Sequence, residues 1–288
     1  IDKHSFNSTK DQFFNHCELV CKEPKVDHRQ FALQRILSKM VKNLNEASKQ
    51  ETQAFFDSFD TVLTDCDGVL WKGVNAIQGS PEMIHQFRKL GKKVIYVTNN
   101  STKTRKEYVK KCEDLGFGGT YEEFFTTSFL VASYLKSLGF DKKVYLYGSG
   151  GIARELDEHN IKHLGLGHDP VPDEWNADCL AKAASELDPD VGCVVASIDY
   201  HASYIKMLKA VSYLNDPNVV YLATNLDERF PYGPNLIVPG TGSMVSTITI
   251  ASQRQPKVVG KPEEFMFEAV QKDFPDIKAE RTLMIGDK

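Results

Sequence analysis

The sequence predicts an α/β protein with a doubly wound, mostly parallel sheet, and three observations support this fold class. Short apolar runs alternate with helical stretches from Thr61 to the end of the chain. The first of these helices opens with Ser80-Pro81-Glu82, a cap residue followed by proline and an acid, and it stops at Gly91. Four of the apolar runs are followed by small polar clusters. Strands that alternate with helices pair in parallel and are covered by helices on both faces.

The composition is that of a globular protein, with 288 residues of which 41% are hydrophobic and 26% are charged. The net charge is only −4 and the lysines and arginines are dispersed, which disfavours binding to nucleic acid. No apolar run approaches the roughly 18 residues that a membrane span needs, and the opening IDKHSFNSTK has no apolar signal core. The six cysteines show no disulfide pattern. We therefore expect reduced thiols, a cytoplasmic location and no membrane partner.

Residues 1–56 are predicted to form an N-terminal extension that is helical in part. Its apolar residues keep helical spacing at Leu33, Leu37, Met40, Val41 and Leu44. The first βα series follows, with strands at 61–64 and 92–98 and helices that begin at 80 and cover about 103–115 and 127–138.

A second βα series makes up the rest of the chain. Its strands are predicted at 143–148, 191–197, 219–224, 256–262 and 281–287. Its helices are predicted at 151–159, 203–214 and 263–273, with another that opens at GTGSM, 240–244.

The four polar clusters are expected to meet at one edge of the sheet. They contain Asp65 and Asp67, then Thr98 with Asn99 and Asn100, then Lys261, and finally Asp287. Each cluster lies just past an apolar run, and in parallel sheets ligands bind where the strands end at their carboxyl edge. The clusters therefore predict a single site.

The charges of this site indicate which ligands it takes. Two carboxylates at about 4 Å repel by roughly 4 kcal/mol at a surface-like dielectric. Asp287 and a phosphate group would add negative charge, so a hard divalent cation and Lys261 are needed to balance it. Mg²⁺ suits this site because it binds few carboxylates, keeps several waters and bridges phosphate oxygens.

Two carboxylates can also divide the chemistry of phosphoryl transfer. One, ionised at neutral pH, attacks phosphorus and forms an acyl phosphate. The other, when protonated, donates to the leaving oxygen and then activates water. Thr98 and the amides of Asn99 and Asn100 are candidate donors to phosphate oxygens. Lys261 would neutralise charge in the transition state.

The four motifs resemble those of haloacid dehalogenase-like phosphatases with a large α/β cap, a group that includes phosphoglycolate, pyridoxal phosphate and 4-nitrophenyl phosphatases. The resemblance spans about 57–288, is closest to the phosphoglycolate phosphatase type, and rests on segments in the family's order. These are DCDGVLW at 65–71, TNNS at 98–101, VVGKP at 258–262 and MIGD at 284–287, with KTR at 103–105, LGFGG at 115–119, the GTGS turn and AxQRQ at 251–255.

The resemblance implies roles for the residues of the site. Asp65 would be the nucleophile and Asp67 the acid/base. Asp65, the carbonyl of Asp67 and Asp287 would hold Mg²⁺. The phosphate would be held by Thr98, Asn99 and Lys261.

The resemblance also implies the domain plan and the substrate class. A Rossmann-like core sheet would be built from 57–139 and 256–288, with an inserted α/β cap domain at 140–255. Relatives dimerise through this cap, so a homodimer is expected. Small esters such as phosphoglycolate, glycerol phosphate or 4-nitrophenyl phosphate are the expected substrates.

The loop NLDERFP, 225–231, is the candidate for reading the substrate. It resembles the phosphoglycolate phosphatase version, in which an arginine precedes an apolar residue and proline. Arg229 would meet a small carboxylate or hydroxyl of the substrate. The alternative for Arg229 is an ordinary solvated loop arginine.

Two other functions remain open at this stage. The family's fourth motif continues beyond GD, whereas this chain stops at Lys288, so we expect a missing tail and impaired activity, and a catalytically impaired binding protein is one alternative. The other is a nicotinamide-binding oxidoreductase, suggested by GSGGIA at 148–153, which matches a dinucleotide loop. Asp169 does not stand at the end of the second strand, where a residue that binds the ribose belongs, so a glycine turn is favoured.

Cys66 lies between the two aspartates in sequence. Its side chain is expected to point away from both of them and to fill space in the core.

Overall fold

The computed structural model describes residues 47–231 and 236–287, and the expected helix around Leu33–Leu44 lies outside these residues. The chain divides into two compact units, 1–57 and 58–288. The described part of the first unit contains helix α1, Lys49–Asp57. Ser48 and Glu51 form a reciprocal cap at its start, with each side chain accepting from the other's backbone N–H at 3.2 and 2.9 Å.

The second unit contains a four-stranded, wholly parallel sheet. Its strands are β1 (Thr61–Thr64), β4 (Lys93–Thr98), β5 (Phe124–Thr126) and β13 (Thr282–Ile285). Their order in space is β13-β1-β4-β5. The helices of this part are α2, Ser80–Lys89, α3, Arg105–Asp114, and α4, Thr127–Ser137. A short antiparallel pair, β2, Trp71–Lys72, and β3, Asn75–Ala76, follows β1. In the order of the four-stranded sheet, β1 lies between β4, the next strand of this sheet along the chain, and β13, the last one.

A five-stranded parallel sheet makes up the rest of this unit, in the order β12-β9-β8-β6-β7. Its strands are β6 (Lys143–Tyr147), β7 (His163–Leu164), β8 (Val191–Ala196), β9 (Val220–Ala223) and β12 (Lys257–Val258). Its helices are α5 (Gly150–Glu158), α6 (Ala177–Ser185), α7 (Tyr204–Leu214), α8 (Thr241–Ser252) and α9 (Phe265–Asp273). An antiparallel pair, β10, Arg229–Pro231, and β11, Ile237–Pro239, lies between β9 and α8.

The fold class is confirmed, and the differences lie in single elements. The short strands β2, β3, β5, β7, β10 and β11 were not predicted, because runs of two or three residues give little periodic signal. Helix α6 was also missed, although the sequence carries a start signal for it in Asn176, whose side chain accepts from the N–H groups of Asp178 and Cys179. The strand expected at 256–262 is only two residues long and pairs with β9. The boundaries of core and cap, 57–139, 140–255 and 256–288, stay a prediction.

One apolar cluster reaches across both parallel sheets. It contains side chains of β1, β4 and β5 as well as of β6, β8 and β9, among them Leu63, Ile95, Phe125, Leu146, Cys193 and Leu222. Helix α4 contributes Leu130, Val131 and Leu135 to the same cluster, and all three are fully buried. Burying side chains of this size contributes about 1.5–3 kcal/mol each. The strand ends that carry the polar clusters therefore rest on a common packed support.

None of the helices in the described ranges is long and apolar enough to cross a membrane.

Candidate active site

The end of β1 places Asp65 at the edge of the four-stranded sheet. Its backbone N–H continues the ladder by donating to the carbonyl of Ile285 at 2.8 Å, so Asp65 lies beside the end of β13. Oδ1 of Asp65 accepts from the N–H of Cys66 at 2.7 Å. Oδ2 lies 2.7 Å from Nζ of Lys261. Both Asp65 oxygens are thus held, one by the backbone and one by a cation.

Burial and charge act in opposite directions on Asp65. Desolvation raises the pKa of this carboxyl above its ordinary value, and the nearby charge of Asp287 adds to the rise, while Lys261 opposes it. Nζ of Lys261 also lies 3.3 Å from the carbonyl of Val97. The lysine therefore keeps a fixed place against the carboxylate that it neutralises.

Asp67 faces a different wall, made of aromatic and amide donors. Its Oδ1 accepts from Nε1 of Trp71 at 2.8 Å and lies 3.7 Å from Nζ of Lys111. Its Oδ2 accepts from Nδ2 of Asn100 at 3.1 Å and from the hydroxyl of Tyr108 at 3.3 Å. Three hydrogen-bond donors and one ammonium group, from three parts of the chain, thus converge on this one carboxylate.

Two members of this wall owe their properties to burial. Tyr108 is fully buried, and desolvation raises its pKa well above the usual value, so the phenol keeps its proton and donates to Asp67. Lys111 lies 4.3 Å above the ring of Trp71. Desolvation lowers the pKa of Lys111, against the charge of Asp67, which raises it.

The turn after Asp67 brings Asp287 into the site. Gly68 has φ +91°, a conformation that side chains rarely adopt, and its N–H donates to the carbonyl of Trp71 at 2.8 Å. A Cβ on Gly68 would lie 2.7 Å from Oδ2 of Asp287. The glycine therefore both permits the turn and leaves room for the carboxylate of Asp287.

The oxygen atoms in this corner are candidate ligands for Mg²⁺. Among the described residues, no three His, Cys, Asp or Glu side chains surround one cation position. The expected set has a different composition, namely the carboxylates of Asp65 and Asp287 and the backbone carbonyl of Asp67. These are hard oxygen donors, and Mg²⁺ commonly binds one or two carboxylates and completes its shell with water and phosphate. The residues fit the ion.

The loop after β4 is held by its own side chains. Thr98 is buried, and its Oγ1 accepts from the N–H of Asn100 at 3.1 Å. Asn99 pairs with the backbone of Lys261: its Oδ1 accepts from the lysine N–H at 2.8 Å and its Nδ2 donates to the lysine carbonyl at 3.0 Å. Oδ1 of Asn100 accepts from Thr102, at 2.9 Å from the N–H and 2.7 Å from Oγ1. Both asparagine side chains position protein groups, and their predicted contacts with phosphate stay predictions.

Arg229 and Asp227 occupy different places in the 225–231 loop. Arg229 is exposed on β10, and its predicted contact with substrate stays a prediction. Asp227 is half-buried, and its Oδ2 lies 3.3 Å from Nδ2 of Asn99. Asp227 was missed as a partner of Asn99. The one signal for it in the sequence is its position in the same loop as Arg229.

Trp71, Tyr108 and Lys111 were also missed as partners of Asp67. Trp71 stands within the first motif, so its nearness to Asp67 was readable. Tyr108 and Lys111 lie on α3, and their side chains meet Asp67 only after the helix packs beside the loop.

The glycines of the 148–153 segment have a packing role. A Cβ on Gly151 would lie 2.3 Å from the backbone carbon of Thr102 and 2.4 Å from the carbonyl oxygen of Ser101. Helix α5 therefore approaches the loop after β4 closely, and this contact requires glycine. Asp169 pairs with Lys209 at 2.9 Å. These contacts account for the glycine loop without a dinucleotide.

Cys66 is fully buried, between the two aspartates in sequence but in the core in space. Desolvation raises the pKa of its thiol well above the usual value. A protonated, buried thiol is a poor nucleophile. This geometry agrees with its interpretation as core filler.

Comparisons with known proteins agree with the site. A family model described as haloacid dehalogenase-like hydrolase matches residues 62–162. Glycerol-3-phosphate phosphatase of Homo sapiens is 39% identical over 249 residues, which are 84% of this chain and 76% of that protein. The 4-nitrophenylphosphatase of Schizosaccharomyces pombe is 39% identical over 80% of this chain and 77% of that protein.

A solved structure has the same fold. A hypothetical protein from Pyrococcus horikoshii OT3 is 27% identical, aligns over 79% of this chain and 80% of its own, and has a TM-score of 0.64. The resemblance found in the four motifs is thereby confirmed. The chain belongs to the haloacid dehalogenase-like hydrolases, beside relatives that are named phosphatases.

Proposed function

We propose that the protein is a Mg²⁺-dependent phosphomonoesterase that hydrolyses small phosphate esters through an aspartyl-phosphate intermediate. The observation that carries this proposal is the 2.7 Å contact of Asp65 with Lys261, at the strand edge where Asp67, Thr98 and Asp287 also lie. A half-buried carboxylate beside one lysine has both the nucleophilic atom and the positive charge that phosphoryl transfer needs.

In the first step an oxygen of Asp65 attacks phosphorus. The new bond joins phosphorus to Asp65, and the bond from phosphorus to the ester oxygen breaks. Asp67, protonated for this step, gives its proton to the departing oxygen, which leaves as the alcohol. The lysine ammonium offsets the charge of the phosphoryl oxygens.

In the second step water attacks the acyl phosphate. Asp67, now ionised, accepts a proton from the water, while the bond between phosphorus and Asp65 breaks and inorganic phosphate is released. Asp65 returns to its carboxylate form and Asp67 to its acid form. The donors that surround Asp67 hold it in one place for both steps, which favours the transfer of a proton in a fixed direction.

Asp65, the carbonyl of Asp67 and Asp287 would hold Mg²⁺, which when bound supplies positive charge to the phosphate oxygens. Without a cation, Asp65 and Asp287 would repel each other and the incoming phosphate. The closeness of Asp287 to the turn after Asp67 supports this assignment, since a Cβ on Gly68 would lie 2.7 Å from Oδ2 of Asp287.

We extend the proposal to substrate and assembly. Glycerol phosphate and phosphoglycolate are the leading substrates, with 4-nitrophenyl phosphate as an artificial one, and Arg229 would read their carboxylate or hydroxyl. Segment 140–255 would close over the ester as a cap and exclude water. A cytoplasmic homodimer joined through this segment is proposed as well, supported by the exposed Trp175, Tyr200 and Tyr204 on it.

A screen of small phosphate esters with and without Mg²⁺ tests the proposal, with Asp65→Asn as the matched control. We expect release of inorganic phosphate that needs Mg²⁺ and disappears in the variant. Turnover that is equal in the variant would contradict the nucleophile. No turnover of any ester, with phosphate still bound in calorimetry, would favour a phosphatase-fold binding protein.

A further inference from the structure

A row of buried polar side chains links the loops that follow β4, β8 and β9. Oγ of Ser101 lies 2.7 Å from Oγ of Ser197, which lies 2.8 Å from Oγ1 of Thr224, and Thr224 lies 3.1 Å from Oδ1 of Asn225. All four residues are buried. Buried polar groups persist when they are hydrogen-bonded, so this row is a defined network.

The chemistry of the groups sets the direction of each hydrogen bond. The amide oxygen of Asn225 can only accept, so Thr224 must donate to it. The hydroxyl of Thr224 has one proton, so it accepts from Ser197, and Ser197 in turn accepts from Ser101. Nδ2 of Asn225 then donates to Oδ2 of Asp227 at 2.8 Å. The row thus runs one way and ends at the carboxylate of Asp227.

A second donor reaches the same oxygen from the site itself. Nδ2 of Asn99 lies 3.3 Å from Oδ2 of Asp227. The same asparagine bonds both backbone groups of Lys261, at 2.8 and 3.0 Å, and Nζ of Lys261 lies 2.7 Å from Asp65. A continuous path of side chains therefore joins Asp227 to the candidate nucleophile.

Close packing leaves this path little freedom. A Cβ on Gly260 would lie 2.6 Å from Oδ1 of Asn99 and 2.4 Å from the carbonyl oxygen of Thr224. A Cβ on Gly240 would lie 2.2 Å from the carbonyl oxygen of Asp227. The N–H of Gly242 also donates to that oxygen at 2.8 Å. Because packed groups this close cannot shift independently, a displacement at Asp227 is expected to move Asn99.

We propose that Asp227 is a positioning residue, which sets the place of Lys261 against Asp65 through Asn99. The 225–231 loop would then do more than read the substrate, because its position would determine whether the lysine is in place for chemistry. This inference rests on the proposed phosphatase function and adds a residue to its site.

The main variants are Asp227→Ala and Asp227→Asn, with Asp216→Ala as the control for loss of an aspartate. Asp216 is exposed after α7, and its carboxylate accepts from Asn218. We expect Asp227→Ala to lower kcat about 10- to 100-fold for both glycerol phosphate and 4-nitrophenyl phosphate, the size of effect that displaced supporting residues produce. Asp227→Asn keeps an acceptor for both donors and should stay within roughly threefold of the wild type. Asp216→Ala should match the wild type.

A double-mutant cycle with Asn99→Ala tests the path itself. If Asp227 acts through Asn99, the double variant should be no slower than Asn99→Ala alone. Additive losses would overturn the inference. So would a lower Tm in Asp227→Ala with an unchanged kcat, which would show a structural role alone. A rise in KM for only one ester would point instead to direct contact with substrate and would also overturn it.

Binding of inorganic phosphate separates this inference from the proposed function. Calorimetry should show weaker phosphate binding in Asp227→Ala than in Asp227→Asn, because the lysine is displaced only in the former. An active wild type with equal phosphate binding in both variants would refute the positioning role and leave the phosphatase intact. A wild type that hydrolyses no ester would refute the function, while a difference in phosphate binding would still support the path.

Discussion

Asp65 and Asp67 are separated by a single residue, yet their carboxylates contact different kinds of groups. Asp65 is held by one backbone N–H and one lysine, and burial raises its pKa. Asp67 is about 41% exposed at its side chain and accepts from an indole, an amide and a phenol, with Lys111 at the edge. A carboxylate with a single cation and little water suits attack on phosphorus. Donors around a carboxylate favour its ionised form, which is the form that accepts a proton from the attacking water.

A fully buried residue separates the two aspartates. Cys66 lies in the core, while the carboxylates on either side of it contact different parts of the chain. Gly68, with φ +91°, then turns the chain next to Asp287, since a Cβ on Gly68 would lie 2.7 Å from Oδ2 of that aspartate.

The largest expected effect is that of Asp65→Asn. An amide cannot form the acyl phosphate, so kcat should fall by at least about 1,000-fold, as losses of a nucleophile do. Phosphate release from glycerol phosphate measures the loss. Trapping of a covalent phosphoryl-enzyme in the wild type, and its absence in the variant, checks the cause. A variant that still forms the covalent species would exchange the roles of the two aspartates.

Asp67→Asn should lower kcat for glycerol phosphate by about 100- to 10,000-fold, because the leaving alkoxide then lacks a proton donor. The loss should be smaller in the formation of the covalent intermediate from 4-nitrophenyl phosphate, whose leaving group is stable as an anion. The comparison of a burst of 4-nitrophenol with steady-state turnover measures this difference. Equal losses in the burst and for both esters would argue against Asp67 as the acid.

Gly68→Ala tests the turn that separates the two environments. A left-handed backbone at a non-glycine residue costs about 1–2 kcal/mol, and the new methyl would press on Oδ2 of Asp287. We expect a lower Tm and weaker activation by Mg²⁺, read as a higher Mg²⁺ concentration at half-maximal activity. Gly73→Ala is the matched control, since its φ is +59° and no atom lies within 4 Å of its Cβ position. Equal Mg²⁺ dependence in both variants would contradict the role of Asp287 in binding Mg²⁺.

Tyr108→Phe removes one donor from Asp67 and leaves the ring in place. One hydrogen bond contributes about 1 kcal/mol, so kcat should fall about fivefold. The pH dependence of kcat should shift as well, whereas a purely structural role would lower Tm alone. Phe117→Leu serves as the control for the aromatic packing, because Phe117 contacts Trp71 at a centroid distance of 5.5 Å but lacks a polar atom.

The smallest expected effect is on stability. Burial raises the folded-state pKa of Asp65 above its unfolded value, so ionised Asp65 opposes folding at neutral pH. Below the unfolded pKa the carboxyl is protonated in both states, and this unfavourable contribution disappears. Asp65→Asn should therefore raise Tm modestly at pH 7 without Mg²⁺, and the gain should shrink as the pH falls through the raised pKa. Thermal melts between pH 7 and acid measure it, and a gain that grows with acidity would contradict the sign.

The elements most accessible to sequence reasoning were those with strong local signals. Ser80-Pro81-Glu82 marks the start of α2, but the expected cap role of Ser80 is wrong: the N-cap is Gly79, and the hydroxyl of Ser80 donates to the carbonyls of Leu70 and Ile77. Helix α3 starts with a capping box, in which the side chain of Thr104 accepts from the N–H of Glu107. The apolar run KVYLY predicted strand β6. The short strands β5 and β7 escaped, because a run of two or three residues is ordered by its neighbours in space and not by its own periodicity. Helix α6 was missed despite its Asn176 cap.

The sequence by itself determined the α/β class, the motifs and their order, because hydrophobic period, caps and glycine turns act between near neighbours. Only the tertiary structure decided which atoms meet. Asn99 bonds Lys261 across 162 positions and Asp227 across 128, and Tyr108 reaches Asp67 across 41. Hydrogen bonds weaken within tenths of an ångström and a few tens of degrees, so such pairings exist only once the strands, loops and helices have packed.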